Sequence, residues 1–172
     1  MTTRRPSFAK CLAIACLGFA AMSAQALELR GFRGVAWGEG AEALREAAVT
    51  QTDGAVTCYQ RERENLIFGN SALNGVRYCF RQDRLVMVLI DAAVDSTTLI
   101  TEFERTYGRA DAQRGLAASW GGKSSKTLAD VATNGSSGAR LAIYSNQVDA
   151  ATARRGLAMQ MIEAPRRVAG AF

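Results

Sequence analysis

The sequence predicts an α+β protein, an antiparallel sheet packed by short helices and built as two tandem αβββ-type units followed by a C-terminal helix. Three observations predict it. Apolar and polar residues alternate with period two over residues 76–81, the signature of a strand with one buried face, and an apolar run over 85–90 completes a hairpin. The 16 glycines punctuate short segments rather than forming a repeat tract. The order helix–strand–strand–strand occurs twice, over residues 41–91 and 96–145.

The first 26 residues stand apart from that domain. Arg4, Arg5 and Lys10 give a positive start, Cys11 opens an apolar run ending at Met22, and Ala24-Gln25-Ala26 is a small-x-small cleavage pattern. This is the layout of a secretory signal peptide, and a run this short falls below the roughly 20 apolar residues needed to span a bilayer. The expected mature chain begins near Leu27 and is periplasmic or secreted. Leu12-Ala13-Ile14-Ala15-Cys16 loosely matches a lipoprotein processing site, but cleavage there would leave too short an apolar region. Arg4-Arg5 also fits twin-arginine export, which an ordinary basic leader start explains equally well.

The elements of the domain, residues 27–164, are read in order. Residues 29–36 form an extended opening that stops at Trp37-Gly38-Glu39-Gly40. Residues 41–49 read as a short helix with Ala43, Leu44, Ala47 and Ala48 on its apolar face. After an Asp53-Gly54 turn comes a strand over 56–62 carrying Cys58, then a short edge piece over 66–68. Val76, Tyr78 and Phe80 alternate with Arg77, Cys79 and Arg81, and the turn Arg81-Gln82-Asp83-Arg84 leads into an apolar run over 85–90. A run apolar on both faces predicts a central strand covered on each side. Asp95 or Ser96 can cap a second helix, whose Leu99, Phe103 and Tyr107 share a face and which Gly108 ends. Strands follow over 116–120, 127–133 and 140–145. A final helix over 148–162, weakened by Gly156, precedes a loose tail over 165–172.

Charge and composition exclude several function classes. Loss of Arg4, Arg5 and Lys10 with the leader takes Lys plus Arg from 21 to 18 against 16 Asp plus Glu, leaving a net charge of +2. The whole-chain pI of 9.3 therefore overstates basicity, and nucleic-acid binding, which needs a concentrated electropositive footprint, is not indicated. The chain has no histidine. That removes Ser-His-Asp and Cys-His machinery, an unperturbed base near neutral pH and imidazole metal ligands. No cofactor is expected.

Once Cys11 and Cys16 leave with the leader, Cys58 and Cys79 remain, an even pair that reads as one disulfide in an exported chain. The tight C-x-x-C spacing of a redox enzyme is absent, and a zinc site would have to use the same two thiols. Trp120-Gly121-Gly122-Lys123-Ser124 resembles the end of a phosphate loop, but Ala117 stands where the first glycine belongs. A flexible turn explains the segment better. Lys123 beside Ser124 and Ser125 would need burial to act as a Ser–Lys pair. Asn134-Gly135-Ser136 matches a glycosylation sequon that a turn explains fully.

Phe32-Arg33-Gly34-Val35-Ala36-Trp37-Gly38, the run from Gly75 to Leu85, and Tyr107-Gly108 before Trp120 carry a resemblance. The chain resembles a group of small exported bacterial proteins of unassigned function. Their layout is similar to that of outer-membrane-assembly small lipoproteins and β-lactamase inhibitor proteins. The resemblance covers most of residues 30–145 and implies short helices against a three- or four-stranded antiparallel sheet, with a binding or accessory role. The lack of a lipid-attachment cysteine departs from the assembly lipoproteins.

The expected function is therefore an exported, non-catalytic binding module of the envelope whose partner is another envelope protein. Arg61, Arg63, Arg77, Arg81 and Arg84 are the candidate contact residues. Arg77 and Arg81 share a strand face, and Arg61 and Arg63 join them in a basic strip if the neighbouring strand pairs there. Guanidinium forks grip carboxylate and phosphate bidentately, and Glu62 and Glu64 neutralise part of the strip. Trp37 and Trp120 are candidate anchors, although packing over adjacent turns is the plainer role for each. Two alternatives stand beside this reading. One is a carboxylate-dependent hydrolase drawing on Glu62, Glu64, Asp91 or Asp95; the other is a binder of anionic lipid head groups through Arg77 and Arg81. Nothing in the pattern specifies an oligomeric state.

Overall fold

The computed structural model describes residues 28–121, 125–135 and 138–146. The predicted leader, the C-terminal helix over 148–162, the tail and Gly122-Lys123-Ser124 lie outside the described residues.

In chain order the strands are β1 (Gly31–Phe32), β2 (Val35–Ala36), β3 (Ala47–Asp53), β4 (Val56–Arg61), β5 (Ile67–Phe68), β6 (Ser71–Arg81), β7 (Arg84–Ala92), β8 (Ala112–Arg114), β9 (Ala117–Trp120), β10 (Thr127–Asn134) and β11 (Gly138–Ser145). A 3-10 turn covers Ala41–Leu44, and the helix α1 spans Ser96–Tyr107. β1 and β2 form a small hairpin of their own. The main sheet runs β3-β4-β6-β7-β11-β10-β9-β8, antiparallel throughout, with β5 paired onto β6. The architecture is α+β, as expected.

The β6–β7 hairpin organises the sheet. Gln82 and Asp83, at φ 49° and 56°, make a two-residue turn in the left-handed region, whose twist matches that of the flanking strands. β7 pairs with β6 on one side and β11 on the other, and Leu85, Val86, Met87, Val88, Leu89 and Ile90 are all at most 4% exposed. The apolar run is thus the central strand that its composition predicts.

α1 covers one face. Leu99, Ile100 and Phe103 bury there against Val76, Tyr78, Val88, Ile90, Leu141 and Ile143. Each such side chain stabilises the fold by about 1.5–3 kcal/mol through burial alone. Asp95 caps α1 by accepting from the Thr98 amide at 3.0 Å, and Gly108 ends it at φ 88°, where its N–H donates to Glu104 O at 2.8 Å. The opposite sheet face carries a second apolar cluster of Cys58, Cys79, Val86, Met87, Leu89, Leu128, Ala142 and Tyr144.

The segment before β3 is clamped to the hairpin. Gly38 N donates to Leu85 O at 2.9 Å, Leu85 N to Glu39 O at 2.8 Å, and Ala41 N to the Asp83 carboxylate at 3.1 Å.

Two elements correct the sequence expectation. The predicted helix over 41–49 is a single 3-10 turn followed by strand β3. Arg45 and Glu46 both adopt positive φ, 46° and 44°, which stops the helix after Leu44. One isolated turn gains little by itself, whereas Ala47 to Asp53 gains a ladder on β4. Residues 29–36 are a tight hairpin turning at Arg33-Gly34 rather than one extended segment.

Candidate functional site

The two cysteines meet as expected. Cys58 on β4 stands directly opposite Cys79 on β6, with Cα atoms 4.0 Å apart, and the two are disulfide-bonded.

The five arginines do not form one strip. β4 and β6 pair with Tyr59 opposite Tyr78 and Cys58 opposite Cys79. Alternation along β4 therefore puts Arg61 on the α1 side, with Tyr59, while Arg77 and Arg81 lie on the disulfide side. Arg77 is also committed there. It donates to Asp91 at 2.8 Å and to Gln51 at 2.9 Å, while Arg140 donates to the same Asp91 carboxylate at 2.6 Å and Asn134 at 2.9 Å. Arg81 is half-buried, and Arg84 is exposed beside the hairpin turn.

Arg61 and Arg63 instead join Arg45 around a hollow of about 390 Å³, lined also by Gly34, Ala43, Leu44 and Glu46. Three cations face one carboxylate there. The Arg63–Glu46 contact is long, 4.0 Å, between side chains 89% and 66% exposed, so it neutralises little. Arg61 is fixed from behind. Its guanidinium carbon sits 4.9 Å over the Tyr78 ring, and its Nη1 donates to Arg33 O at 3.2 Å. Its Nε is buried without a hydrogen-bond partner among the described residues.

A buried carboxylate supports this arrangement. The Glu64 side chain, 3% exposed, accepts from Arg33 at 2.6 Å and from the Tyr78 hydroxyl at 2.9 Å. Arg33 also donates to the backbone oxygens of Asn65 and Ile67. Burial, followed by the charge and hydrogen bond of Glu64, pushes the Tyr78 hydroxyl well above its usual range, against the pull of Arg61 and Arg33. Tyr78 therefore stays protonated and donates. Arg45 and Glu46, which line this hollow, and Arg33, whose carbonyl holds Arg61, account for three of the five non-glycine residues at positive φ among the described residues. Such backbone, costing of order 1 kcal/mol per residue, persists where surrounding contacts over-determine it.

The candidate carboxylates are dispersed. Glu64 is held by Arg33 and Tyr78, Asp91 by Arg77 and Arg140, and Asp95 by the first turn of α1. The Thr98 amide and hydroxyl hold the Asp95 carboxyl below its ordinary range. Glu62 is exposed.

The tryptophans pack. Trp120, 3% exposed, meets Phe103 edge-on at 4.6 Å and donates to Gly108 O at 2.9 Å, so it presents no surface to a partner. Trp37 is half-buried and donates to Leu29 O at 2.8 Å and to the Thr127 hydroxyl at 3.2 Å, tying the N-terminal segment to β10.

Arg33, Arg45 and Arg140 were missed from sequence. Arg33-Gly34 could have been read as a hairpin turn. Arg45 was hidden inside a predicted helix, and only its left-handed backbone brings it to Arg61.

Among the described residues no three Cys, Asp or Glu converge as a metal-holding group, and no helix is long and apolar enough to cross a membrane. The hollow offers cationic donors for a carboxylate or phosphate. No protein-family model, curated protein or solved structure matches the chain.

Proposed function

We propose that this protein is an exported, non-catalytic binding module of the bacterial envelope, and that it grips an acidic stretch of another envelope protein in the hollow of Arg45, Arg61 and Arg63. One observation carries the reading. Three arginines, Arg45, Arg61 and Arg63, line a concavity whose one carboxylate, Glu46, is exposed and only loosely paired. A bound carboxylate would receive bidentate donors there.

The address is supported by the leader pattern and by a disulfide that persists in oxidising compartments. The role is supported by the commitment of Glu64, Asp91 and Asp95 to structural partners, which leaves no pair of them free for acid–base work. The tandem layout also belongs to this reading. The sheet order is palindromic about the β7–β11 pair; after a helical turn, Ala41–Leu44 or α1, the first half contributes five strands, β3 to β7 with β5 a side piece on β6, and the second four, β8 to β11, where the sequence predicts three in each. Two diverged copies of one unit joined edge to edge produce that order.

The test is mild cross-linking in native envelope followed by recovery of the protein, in wild type and in the R45A/R61A/R63A variant. A discrete acidic partner recovered only with wild type supports the reading. Equal recovery with both, or none with either, counts against it. Co-sedimentation with anionic vesicles in place of a protein partner would favour the head-group alternative.

A further inference from the structure

We infer that the partner's acidic stretch binds as an added β-strand along the outer edge of β3, with its carboxylates seated in the arginine hollow. This rests on the binding reading above and adds the mode and the conformation of the ligand.

β3 is the end of the sheet and, among the described residues, pairs only with β4. An edge strand presents unpaired N–H and C=O groups that template another strand unless the protein blunts them. The two edges are treated differently. β8 is three residues long, whereas β3 is seven residues long, holds neither lysine nor proline, and carries its one charge, Asp53, at the end away from Arg61. A bulge between Val49 and Gln51 blunts its far half and leaves Ala47 to Val49 as the regular stretch of edge. Val49 is 57% exposed, an apolar side chain on open edge.

The direction of the free amides follows from one hydrogen bond. Glu62 N donates to Glu46 O at 3.0 Å, so that carbonyl points toward β4. In a trans peptide the next N–H points the other way, and the alternation repeats every second residue. The amides of Ala47 and Val49 therefore face outward. Ala47 lies opposite Arg61, so the first free amide adjoins the hollow. An incoming strand paired at 47–49 delivers the side chains at its end to Arg45, Arg61 and Arg63. Charge complementarity then selects an extended segment with Asp or Glu at that end.

Hydrogen exchange of the full protein is followed by NMR with a synthetic peptide, Glu-Asp-Glu-Val-Thr-Val-Thr, and with its counterpart carrying lysine at the acidic positions. The acidic peptide is expected to slow exchange at Ala47 and Val49 by at least tenfold, and the lysine peptide to have no effect. V49P removes one outward donor and leaves the β4 ladder intact, which an edge strand tolerates; it should weaken binding at least tenfold. Binding that perturbs Arg61 and Arg63 but leaves both amides unprotected, with V49P binding like wild type, overturns strand addition and spares the hollow. Protection that survives R61A/R63A overturns the hollow reading instead. Absence of any effect from the acidic peptide overturns both. The exchange readout on wild type needs no variant to fold.

Discussion

Arg61 and Arg77, on neighbouring strands, face opposite sides of the sheet: Arg61 lies over the Tyr78 ring at 4.9 Å, while Arg77 is paired to Asp91 at 2.8 Å. One-residue alternation thus separates two roles that look alike in sequence. Arg77 neutralises a carboxylate inside the disulfide-side face, and Arg61 presents its charge to a hollow.

The Asp91 network predicts the sharpest loss of stability. Asp91 and its two arginines have side chains only 16–18% exposed. Asp91→Ala leaves Arg77 and Arg140 without their counter-charge, which costs about 3 kcal/mol. Asp91→Asn keeps an oxygen acceptor and loses less. Urea unfolding of both variants checks this; an Asp91→Ala midpoint equal to wild type would contradict it.

Alkaline pH should weaken the fold through Tyr78. Its hydroxyl is raised in the folded protein, so the native state holds a proton that the unfolded chain releases near pH 10. That stabilisation is complete below pH 10 and is lost as pH rises above it. Tyr107, also raised by burial, acts in the same direction. Tyr78→Phe should therefore flatten, without abolishing, the fall in unfolding midpoint between pH 9 and 11. An unchanged slope would contradict a raised Tyr78 hydroxyl in the folded protein.

The Cys58–Cys79 bond joins residues 21 apart in sequence. Closing a loop of that size stabilises by about 3 kcal/mol in the chain-entropy model. Both residues are at most 3% exposed, so reductant should reach the bond only after the strands open. The C58A/C79A variant should keep the fold with a lower unfolding midpoint, measured by denaturant titration. Rapid reduction of the native protein at neutral pH would contradict the burial.

Much of the sheet was legible because its strands carry strong, long patterns. The alternation of Val76, Tyr78 and Phe80, the apolar run of β7, and Asp95 and Gly108 at the ends of α1 each state a local preference that tertiary packing repeats. The region around Arg45 was not legible. Ala43, Leu44, Ala47 and Ala48 mimic a helical stripe over one short stretch, and the left-handed pair Arg45-Glu46 that redirects the chain into β3 has no residue signature such as glycine. The same misreading hid the hollow, since its third cation arrives only with that turn. The strip over Arg61 and Arg77 failed for a related reason: same-side placement across two strands depends on register, which no single strand specifies.

The central claim is tested most directly by calorimetric titration of the acidic peptide into wild type, R45A/R61A/R63A and R84A at two salt concentrations. Arg45 and Arg63 are exposed, so R45A/R63A serves as a variant that leaves the Arg61–Tyr78 packing untouched. Affinity is expected to fall at least tenfold in both hollow variants, to stay at the wild-type value in R84A, and to weaken with salt in wild type. Equal affinity in wild type and R45A/R61A/R63A would contradict the claim that the arginine hollow is the binding site.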